Sequence, residues 1–246
     1  MANITFNSVD LSIYDLVTPK VSGVHDLVAD ERSRVWIPGR DLPADALNRR
    51  SLGLMKFGCV VYSETSHADL VSKLKVLKGL TSPALGFCSF AITDRSGEQT
   101  WARSLGFGIN IDQLPYLTDM VEFDWSLERY PYWEDATEQT ATDPASINNT
   151  GDLPTFPVYT LTMLDDIVGG LWFTVNDKTW EYSGDVETDD VLTVVTDLPK
   201  PYLNGALDFA NTPITVQYPE LVTGSNAVSK SSVDFTLKVD YRRRFE

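Results

Sequence analysis

The most regular pattern of apolar and polar positions lies in residues 234–245 (DFTLKVDYRRRF). Apolar side chains occupy alternate positions, at Val233, Phe235, Leu237, Val239 and Tyr241. Polar side chains occupy the positions between them, at Asp234, Thr236, Lys238, Asp240 and Arg242. Alternation of this kind is typical of a strand with one buried face, so we expect this strand to close a β-domain.

A helical pattern occupies residues 66–79. Ser66 is a favourable N-cap residue, and Asp69 completes a capping-box sequence with it. The apolar positions that follow have helical spacing, at Leu70, Val71, Leu74 and Leu77. Lys78 complements the helix dipole, and Gly79 is predicted to end the helix in a left-handed conformation. Because this helix has a single apolar stripe, we expect it to lie on a sheet.

Strand patterns surround the helix and continue to the C-terminus. In the first half of the chain we predict strands at residues 52–62, 88–93, 99–105 and 121–128, with a hairpin turn at 94–97. In the second half we predict strands at residues 158–163, 171–175, 179–182 and 191–195. The predicted fold class is therefore mainly β. It comprises a β-barrel or sandwich-like domain with one α-helix, followed by a β-sandwich or jelly roll.

The composition changes after Tyr130. The segment 134–143 (EDATEQTATD) is polar and has no apolar face. Prolines, which interrupt strand ladders, are frequent nearby, at Pro131, Pro144, Pro154 and Pro157. We therefore predict a linker region at 131–157 between an N-terminal domain at 1–135 and a C-terminal domain at 146–246.

This chain of 246 residues has a net charge of −15, which argues against negatively charged partners. An acidic surface repels nucleic acid and anionic lipid, so we expect neither sequence-specific nucleic-acid binding nor membrane binding. The N-terminus has no basic region followed by an apolar core, so we expect no signal peptide and synthesis in the cytosol. Cys59 and Cys88 lie in apolar, strand-like sequence, and we expect both to be buried, reduced thiols.

Candidate catalytic chemistry is sparse in the sequence. His25 and His67 are the only histidines, and both are expected to be solvated. The acidic run 185–190 resembles a calcium loop, but Asp190 stands where that motif needs glycine and Thr196 where it needs glutamate. We interpret the run as a solvated turn. We expect no metal, no cofactor and no enzymatic activity, although paired carboxylates leave a glycosidase as a minor alternative.

Aromatic residues in the second half allow a further hypothesis. Trp172, Trp180 and Tyr182 lie close together in sequence and could form a platform on which a sugar stacks. Aromatic residues on a sheet are more often part of a core or an interface. A carbohydrate-binding module is therefore an alternative interpretation of this half.

Several segments, in this order, resemble a known family. They are 35–41 (VWIPGRD), the predicted strand 52–62 and helix 66–79, the segment 148–163, the strand ladder 171–195, and 217–226 (QYPELVTGSN) before the final Tyr-Arg-Arg-Arg-Phe. In these segments the chain resembles the distal tail proteins of bacteriophages with long, non-contractile tails. These are also called baseplate hub or tail-tip ring proteins.

The resemblance implies a structural virion protein. The N-terminal domain would form a homohexameric ring at the distal end of the tail tube, with a galectin-like C-terminal domain outside it. The partners implied are the tail tube protein, the tail-tip hub, fibre or tail-associated protein, and in some phages a receptor-binding protein. DNA would pass through the lumen of the ring.

Exposed loops commonly reach across subunit boundaries, so two loops are candidate ring contacts. One contains Trp36, Pro38, Gly39 and Arg40, and the other contains Asp94 and Arg95. A tail tube or tail-completion subunit is the main alternative to a distal ring protein.

Overall fold

The structure of the protein is a computed structural model that describes residues 3–22, 30–35, 44–50, 52–111, 114, 119–213 and 216–246, with 30–35 and 44–50 described by their backbone alone. The chain divides into two compact units. The first comprises residues 1–133 together with residue 246, and the second comprises residues 134–245. The functional roles predicted for domains 1–135 and 146–246 stay predictions.

The first unit is a sheet with one α-helix. Its strands are β1 (Ile4–Phe6), β2 (Val9–Asp10), β3 (Leu16–Ser22), β4 (Asp30–Val35), β5 (Ala44–Arg50), β6 (Gly53–Tyr62), β7 (Phe87–Ile92), β8 (Glu98–Phe107) and β9 (Met120–Arg129). The helix α1 spans His67–Leu80, and short 3-10 turns span Leu11–Tyr14, Pro83–Leu85 and Thr93–Arg95. Strands β4 and β5 form a separate two-stranded pair. The others follow the antiparallel order β2-β1-β7-β8-β9-β6-β3.

Aromatic contacts show that the long sheet curls on itself. Phe6 of β1 lies 5.6 Å from Trp125 of β9, measured between ring centroids, although these strands are not neighbours. Phe57 of β6 and Phe90 of β7 are 5.7 Å apart in the same way. All four rings are buried. The inner face of the curled sheet therefore forms the core, in agreement with the predicted barrel or sandwich-like fold.

The helix starts as predicted but ends later. Ser66 Oγ accepts a hydrogen bond from Asp69 N at 3.2 Å, and Leu70, Leu74 and Leu77 are buried. The prediction that Gly79 ends the helix was wrong. Thr81 caps it instead, because its Oγ1 donates to the carbonyl oxygen of Leu77 at 2.7 Å and its backbone N–H bonds the same oxygen.

The second unit consists of two packed sheets. Its strands are β10 (Trp133–Asp135, beginning one residue earlier), β11 (Gln139–Thr142), β12 (Ser146–Asn149), β13 (Val158–Met163), β14 (Leu171–Val175), β15 (Lys178–Tyr182), β16 (Val191–Val195), β17 (Lys200–Leu203), β18 (Ala206–Leu207), β19 (Gly224–Lys230), β20 (Phe235–Tyr241) and β21 (Arg244–Phe245). One sheet has the order β11-β20-β13-β16-β17-β18 and the other β12-β19-β14-β15, and strands β10 and β21 pair with each other outside both sheets. Buried residues of both sheets form one core, as predicted for a β-sandwich.

Two local predictions differ from the structure. The predicted linker 131–157 contains β11 and β12, which pair with β20 and β19 as edge strands. An edge strand needs one partner and tolerates a polar face, so the polar composition of 134–143 did not exclude it. The alternating pattern at the C-terminus does form a strand, but its buried set is Phe235, Leu237 and Val239, while Val233 is exposed before the strand begins.

Among the helices of the described residues, none has the length and apolar character needed to span a membrane.

Candidate functional site

The outer face of the curled sheet presents aromatic and apolar side chains in the first unit. Glu128 of β9 lies opposite Leu54 of β6 and Arg103 of β8, and Arg103 lies opposite Phe87 of β7. These residues thus form one row across four strands. Arg103 forms an ion pair with Glu128, and its guanidinium lies 5.2 Å from the ring centroid of Phe87.

Further aromatic side chains extend this row. Tyr130 contacts Phe87 with ring centroids 5.0 Å apart, and Tyr132 lies 5.9 Å from Tyr130. Trp101 of β8 is 39% exposed, and Leu105 is more exposed still. We call the set Leu54, Phe87, Trp101, Arg103, Leu105 and Tyr130 the outer aromatic face. This face was not predicted from the sequence, although the outward positions of β8 carry a visible signal: Trp101, Arg103 and Leu105 alternate with buried positions.

The predicted contact loops have different outcomes. Trp36, Pro38, Gly39 and Arg40 lie outside the described residues, and so does His25. Asp94 is exposed at the tip between β7 and β8.

Arg95, in contrast, is largely engaged within its own unit. It donates to Glu98 Oε2 at 3.0 Å and to the carbonyl oxygen of Glu246 at 2.7 Å, and its guanidinium stands 5.1 Å from the centroid of Trp133. A ring-contact role for this hairpin tip therefore stays a prediction, and Asp94 is the more accessible of its two residues.

The predicted sugar platform does not form. Trp180 and Tyr182 are buried in the sandwich core, where Trp180 lies 5.5 Å from Phe173. Trp172 is exposed, because it precedes the buried Phe173 on β14 and so points to the opposite face. The register between β14 and β15 sets these orientations, and the sequence did not reveal it.

Tyr182 has a structural role at the end of its strand. Its hydroxyl donates to Asp208 Oδ2 at 2.7 Å, and Asn211 Nδ2 donates to the same carboxylate oxygen at 3.0 Å. Burial, reinforced by its hydrogen bond with Asp208, raises the pKa of Tyr182 to about 12, while the hydrogen bonds from Tyr182 and Asn211 lower the pKa of Asp208. This cluster fastens the segment after β18 to the sandwich.

The segment 217–226, one of those that carried the family resemblance, is organised by a buried amide. Asn226 Nδ2 donates to the carbonyl oxygens of Val222 at 2.8 Å, Gly224 at 2.9 Å and Ile147 at 3.3 Å. Its Oδ1 accepts from Val222 N and from Asn176 Nδ2, each at 2.9 Å. Gly224 has a φ of 92°, which suits glycine in this turn. Asn226 therefore joins three chain segments at one point.

A second buried amide fastens the entry to the sandwich. Asn149 Nδ2 donates to the carbonyl oxygens of Leu153 at 3.1 Å and Leu221 at 3.2 Å, and its Oδ1 accepts from Gly151 N. An alanine Cβ at Gly151 would lie 2.5 Å from the carbonyl oxygen of Arg244, so this turn admits only glycine without rearrangement. These contacts give a physical reason for the polar residues in segment 148–163.

The acidic run 185–190 forms the predicted turns. Asp190 accepts hydrogen bonds from Asn204 Nδ2 at 2.7 Å and from Glu187 N at 2.9 Å, which lower its pKa. Asp185 accepts from Gly169 N at 2.8 Å. Within the described part of the chain, no three His, Cys, Asp or Glu side chains are grouped so that they could hold a metal ion. Asp185 and Asp190 therefore organise the loops around them.

The two thiols are buried in the first unit, as expected. Burial raises the pKa of Cys59 to about 12, with a further contribution from the nearby charge of Asp124. Burial also raises the pKa of Cys88. Both groups are free thiols.

Comparison with solved structures identifies the fold. The crystal structure of SPP1 Dit, described as a paradigm of the hub adsorption apparatus in phages infecting Gram-positive bacteria, superposes with a TM-score of 0.74 at 13% identity, covering 100% of both chains. A chain of the phage P2 baseplate in its activated conformation with Ca matches with a TM-score of 0.54 at 8% identity, covering 98% of this chain and 97% of that one. A second P2 baseplate structure, with Sr, gives 0.51 at 8% identity over 96% and 97% of the two chains.

These matches define the class of protein by its fold: the chain has the fold of phage hub and baseplate proteins along nearly its whole length. Of the three, SPP1 Dit is matched with the highest TM-score, and its match leaves no part of either chain uncovered. Neither a scan against protein-family models nor a search of curated proteins found a match. The predicted resemblance to distal tail proteins is confirmed as a likeness of fold.

Proposed function

We propose that this protein is a structural subunit of a phage tail tip, with no catalytic role. In this proposal it forms a homohexameric ring at the distal end of a long, non-contractile tail tube and connects the tube to the tail-tip hub or fibre protein. DNA passes through the ring, and the second unit, galectin-like in character, faces outward where a receptor-binding protein can attach. The protein is made in the host cytoplasm and resides in the virion.

The observation that carries the proposal is the fold likeness to SPP1 Dit over the whole of both chains. A likeness confined to one unit would fit many unrelated β-domains. Here the order of a curled sheet with one helix, followed by a sandwich, is shared as a whole. The net charge of −15 suits a ring whose wall must not retain DNA.

The outer aromatic face supports self-association. Tryptophan, tyrosine and arginine are enriched where protein interfaces gain most of their affinity, and this face carries Trp101, Tyr130 and Arg103. A ring needs a head-to-tail contact between two different surfaces whose rotation closes. We assign one of those surfaces to the outer aromatic face.

The decisive experiment measures the assembly of the purified full chain. Multi-angle light scattering should give the mass of six chains, and negative-stain electron microscopy should show rings one layer thick. Filaments would favour the tail tube alternative. A species that stays monomeric at high concentration, alone and with the tail tube protein added, would contradict the proposal.

The surface assignment is tested by one substitution and its control. Trp101→Glu places a charge in the outer aromatic face and should shift the chain toward monomer, because a desolvated, unpaired charge opposes association. Ile13→Glu changes a more exposed apolar residue of the same unit and should leave the mass unchanged. If both variants still form rings, the assigned surface is wrong although the ring proposal stands.

A further inference from the structure

Three loops of the second unit lie at one end of its sandwich. They are residues 164–170, 183–190 and 231–234, and each joins a strand of one sheet to a strand of the other. Leu164 N donates to the carbonyl oxygen of Asp234 at 2.7 Å, which joins the first loop to the third. Ile167 and Val186 exchange backbone hydrogen bonds at 2.9 and 3.0 Å, which join the first loop to the second. The loops therefore form one continuous surface.

Apolar side chains project from this surface into solvent. Val168 is 82% exposed, Val233 is 81% exposed and Leu164 is 59% exposed. Trp172 is also exposed. It lies next to the third loop, because its backbone N–H donates to Ser231 Oγ and its carbonyl oxygen accepts from Ser231 N. We call Leu164, Val168, Trp172 and Val233 the apolar tip. Exposed apolar groups that are grouped in this way mark interaction sites more often than single ones do.

The backbone around the apolar tip is held in place. Asp166 Oδ1 accepts hydrogen bonds from Thr188 N at 2.8 Å and from Thr188 Oγ1 at 2.9 Å. Asp185 Oδ1 accepts from Gly169 N, next to Val168. These contacts prevent the loops from folding the apolar side chains inward. A surface that is ordered before binding loses less entropy when a partner docks.

The charge around the apolar tip selects the partner. The three loops contain no lysine or arginine, and they carry seven carboxylates, at Asp165, Asp166, Asp185, Glu187, Asp189, Asp190 and Asp234. The same end of a second copy is a poor occupant, because its three loops would bring the same seven carboxylates against these. Anionic membranes are repelled for the same reason. A cationic protein surface with apolar side chains complements both features.

We propose that the apolar tip docks a segment of a different protein in which lysine or arginine residues surround apolar side chains. The apolar contacts supply affinity, and the acidic rim supplies orientation and rate of association. This role does not require the chain to form a ring.

The first arm of the test pans a library of random displayed peptides on the immobilised full chain. Peptides that combine cationic with aromatic or aliphatic residues should be enriched. Enriched peptides are then measured in solution against the wild type and variants. Val168→Ser with Val233→Ser should weaken binding about tenfold or more, because two contact side chains are lost.

Matched variants separate the two contributions. Glu187→Gln with Asp189→Asn removes charge at two exposed positions. It should weaken binding several-fold at low salt, and this difference should shrink as salt is added. Leu198→Ser removes an exposed apolar residue from another loop and should bind like the wild type.

Several outcomes would overturn the proposal. They are enriched peptides without cationic residues, equal binding by the Val168→Ser/Val233→Ser variant, and binding of zwitterionic or anionic vesicles that this variant loses. Light scattering on the same samples keeps the two proposals distinct. A wild-type chain that binds the peptides but never forms a ring contradicts the ring alone, and rings without peptide selectivity contradict the docking role alone.

Discussion

The two units use opposite strategies for burying and presenting side chains. In the first, rings from non-neighbouring strands such as Phe6 and Trp125 fill a curled sheet, and more aromatic residues stand on its outer face. In the second, Trp180 and Tyr182 are buried in the core, and the most exposed apolar side chains of the described residues, Val168 and Val233, lie on loops. The first unit thus offers a sheet face for contacts, and the second offers loop tips.

The units also differ in how their irregular parts are held. The first relies on a capped helix, with Ser66 at one end and Thr81 at the other. The second relies on buried side-chain amides, with Asn149 and Asn226 bonding backbone groups of several segments. A polar group that is fully paired in a core fixes one arrangement and makes its loss costly. The comparison therefore predicts which substitutions affect which unit.

Asn226→Ala should have the largest effect. It leaves Val222 N and several carbonyl groups without their partner. Each buried group left unpaired costs about 1–3 kcal/mol. The free energy of unfolding should therefore fall by about 3 kcal/mol or more. Hydrogen exchange read by mass spectrometry should show faster exchange in the second unit. Asn148→Ala, at an exposed position, should change stability by less than about 0.5 kcal/mol. Equally faster hydrogen exchange in both units would contradict the claim that Asn226 stabilises the second unit in particular.

Ser66→Ala should act on the first unit alone. Loss of the N-cap hydrogen bond to Asp69 N costs about 1 kcal/mol. The control is Ser72→Ala, at an exposed position inside α1, where alanine is the better helix former and no loss is expected. Urea unfolding combined with hydrogen exchange over α1 measures both variants. A loss of stability in the second unit of Ser66→Ala would contradict the claim that this cap acts on the first unit alone.

Gly79→Ala distinguishes a helical from a terminating glycine. Gly79 lies inside α1 without a left-handed backbone, and an added Cβ would meet no atom within 4 Å. Alanine should therefore stabilise the first unit by about 0.5–1 kcal/mol. A rise in the midpoint of thermal unfolding would agree with Thr81 as the cap. A fall in this midpoint would instead support the prediction from the sequence that Gly79 ends the helix in a left-handed conformation.

Asp166→Asn should have the smallest effect, visible as a change in pH dependence. The hydrogen bonds from Thr188 lower the pKa of Asp166 below its unfolded value of about 3.9. The contribution of ionised Asp166 to folding stability is therefore fully present above about pH 3.9 and is lost as the pH falls through the pKa of the folded state. Thermal unfolding from pH 7 to about pH 3 should therefore show a smaller acid loss in this variant. Thr188→Val, which removes one donor, should lie between it and the wild type, and three identical profiles would contradict the assignment.

Local signals made much of this fold predictable. The capping sequence and apolar stripe located α1, and alternation located β7, β9 and β20. The end of α1 was not predictable, because a threonine hydroxyl replaced the expected glycine conformation. Strand β11 was missed because its partner, β20, lies about 100 residues away and its own composition is polar.

Candidate surfaces were harder to predict than elements. Whether Trp172 or Trp180 faces the core depends on which sheet face each strand position occupies in the sandwich, and this is a long-range property. Asn226 is buried because three chain segments bring backbone groups to one point, which no local pattern reveals. The outer aromatic face was readable in part, since Trp101, Arg103 and Leu105 alternate, but its meaning required the neighbouring strands.

The shielded thiols of the first unit have a practical consequence. With the pKa of Cys59 near 12 and Cys88 buried as well, neither side chain supplies much thiolate for alkylation at neutral pH. A cysteine introduced at exposed Ser96 would then take up a maleimide dye selectively while both native cysteines stay in place. The dye would report on the surroundings of the β7–β8 tip, and so on whether this tip contacts another subunit.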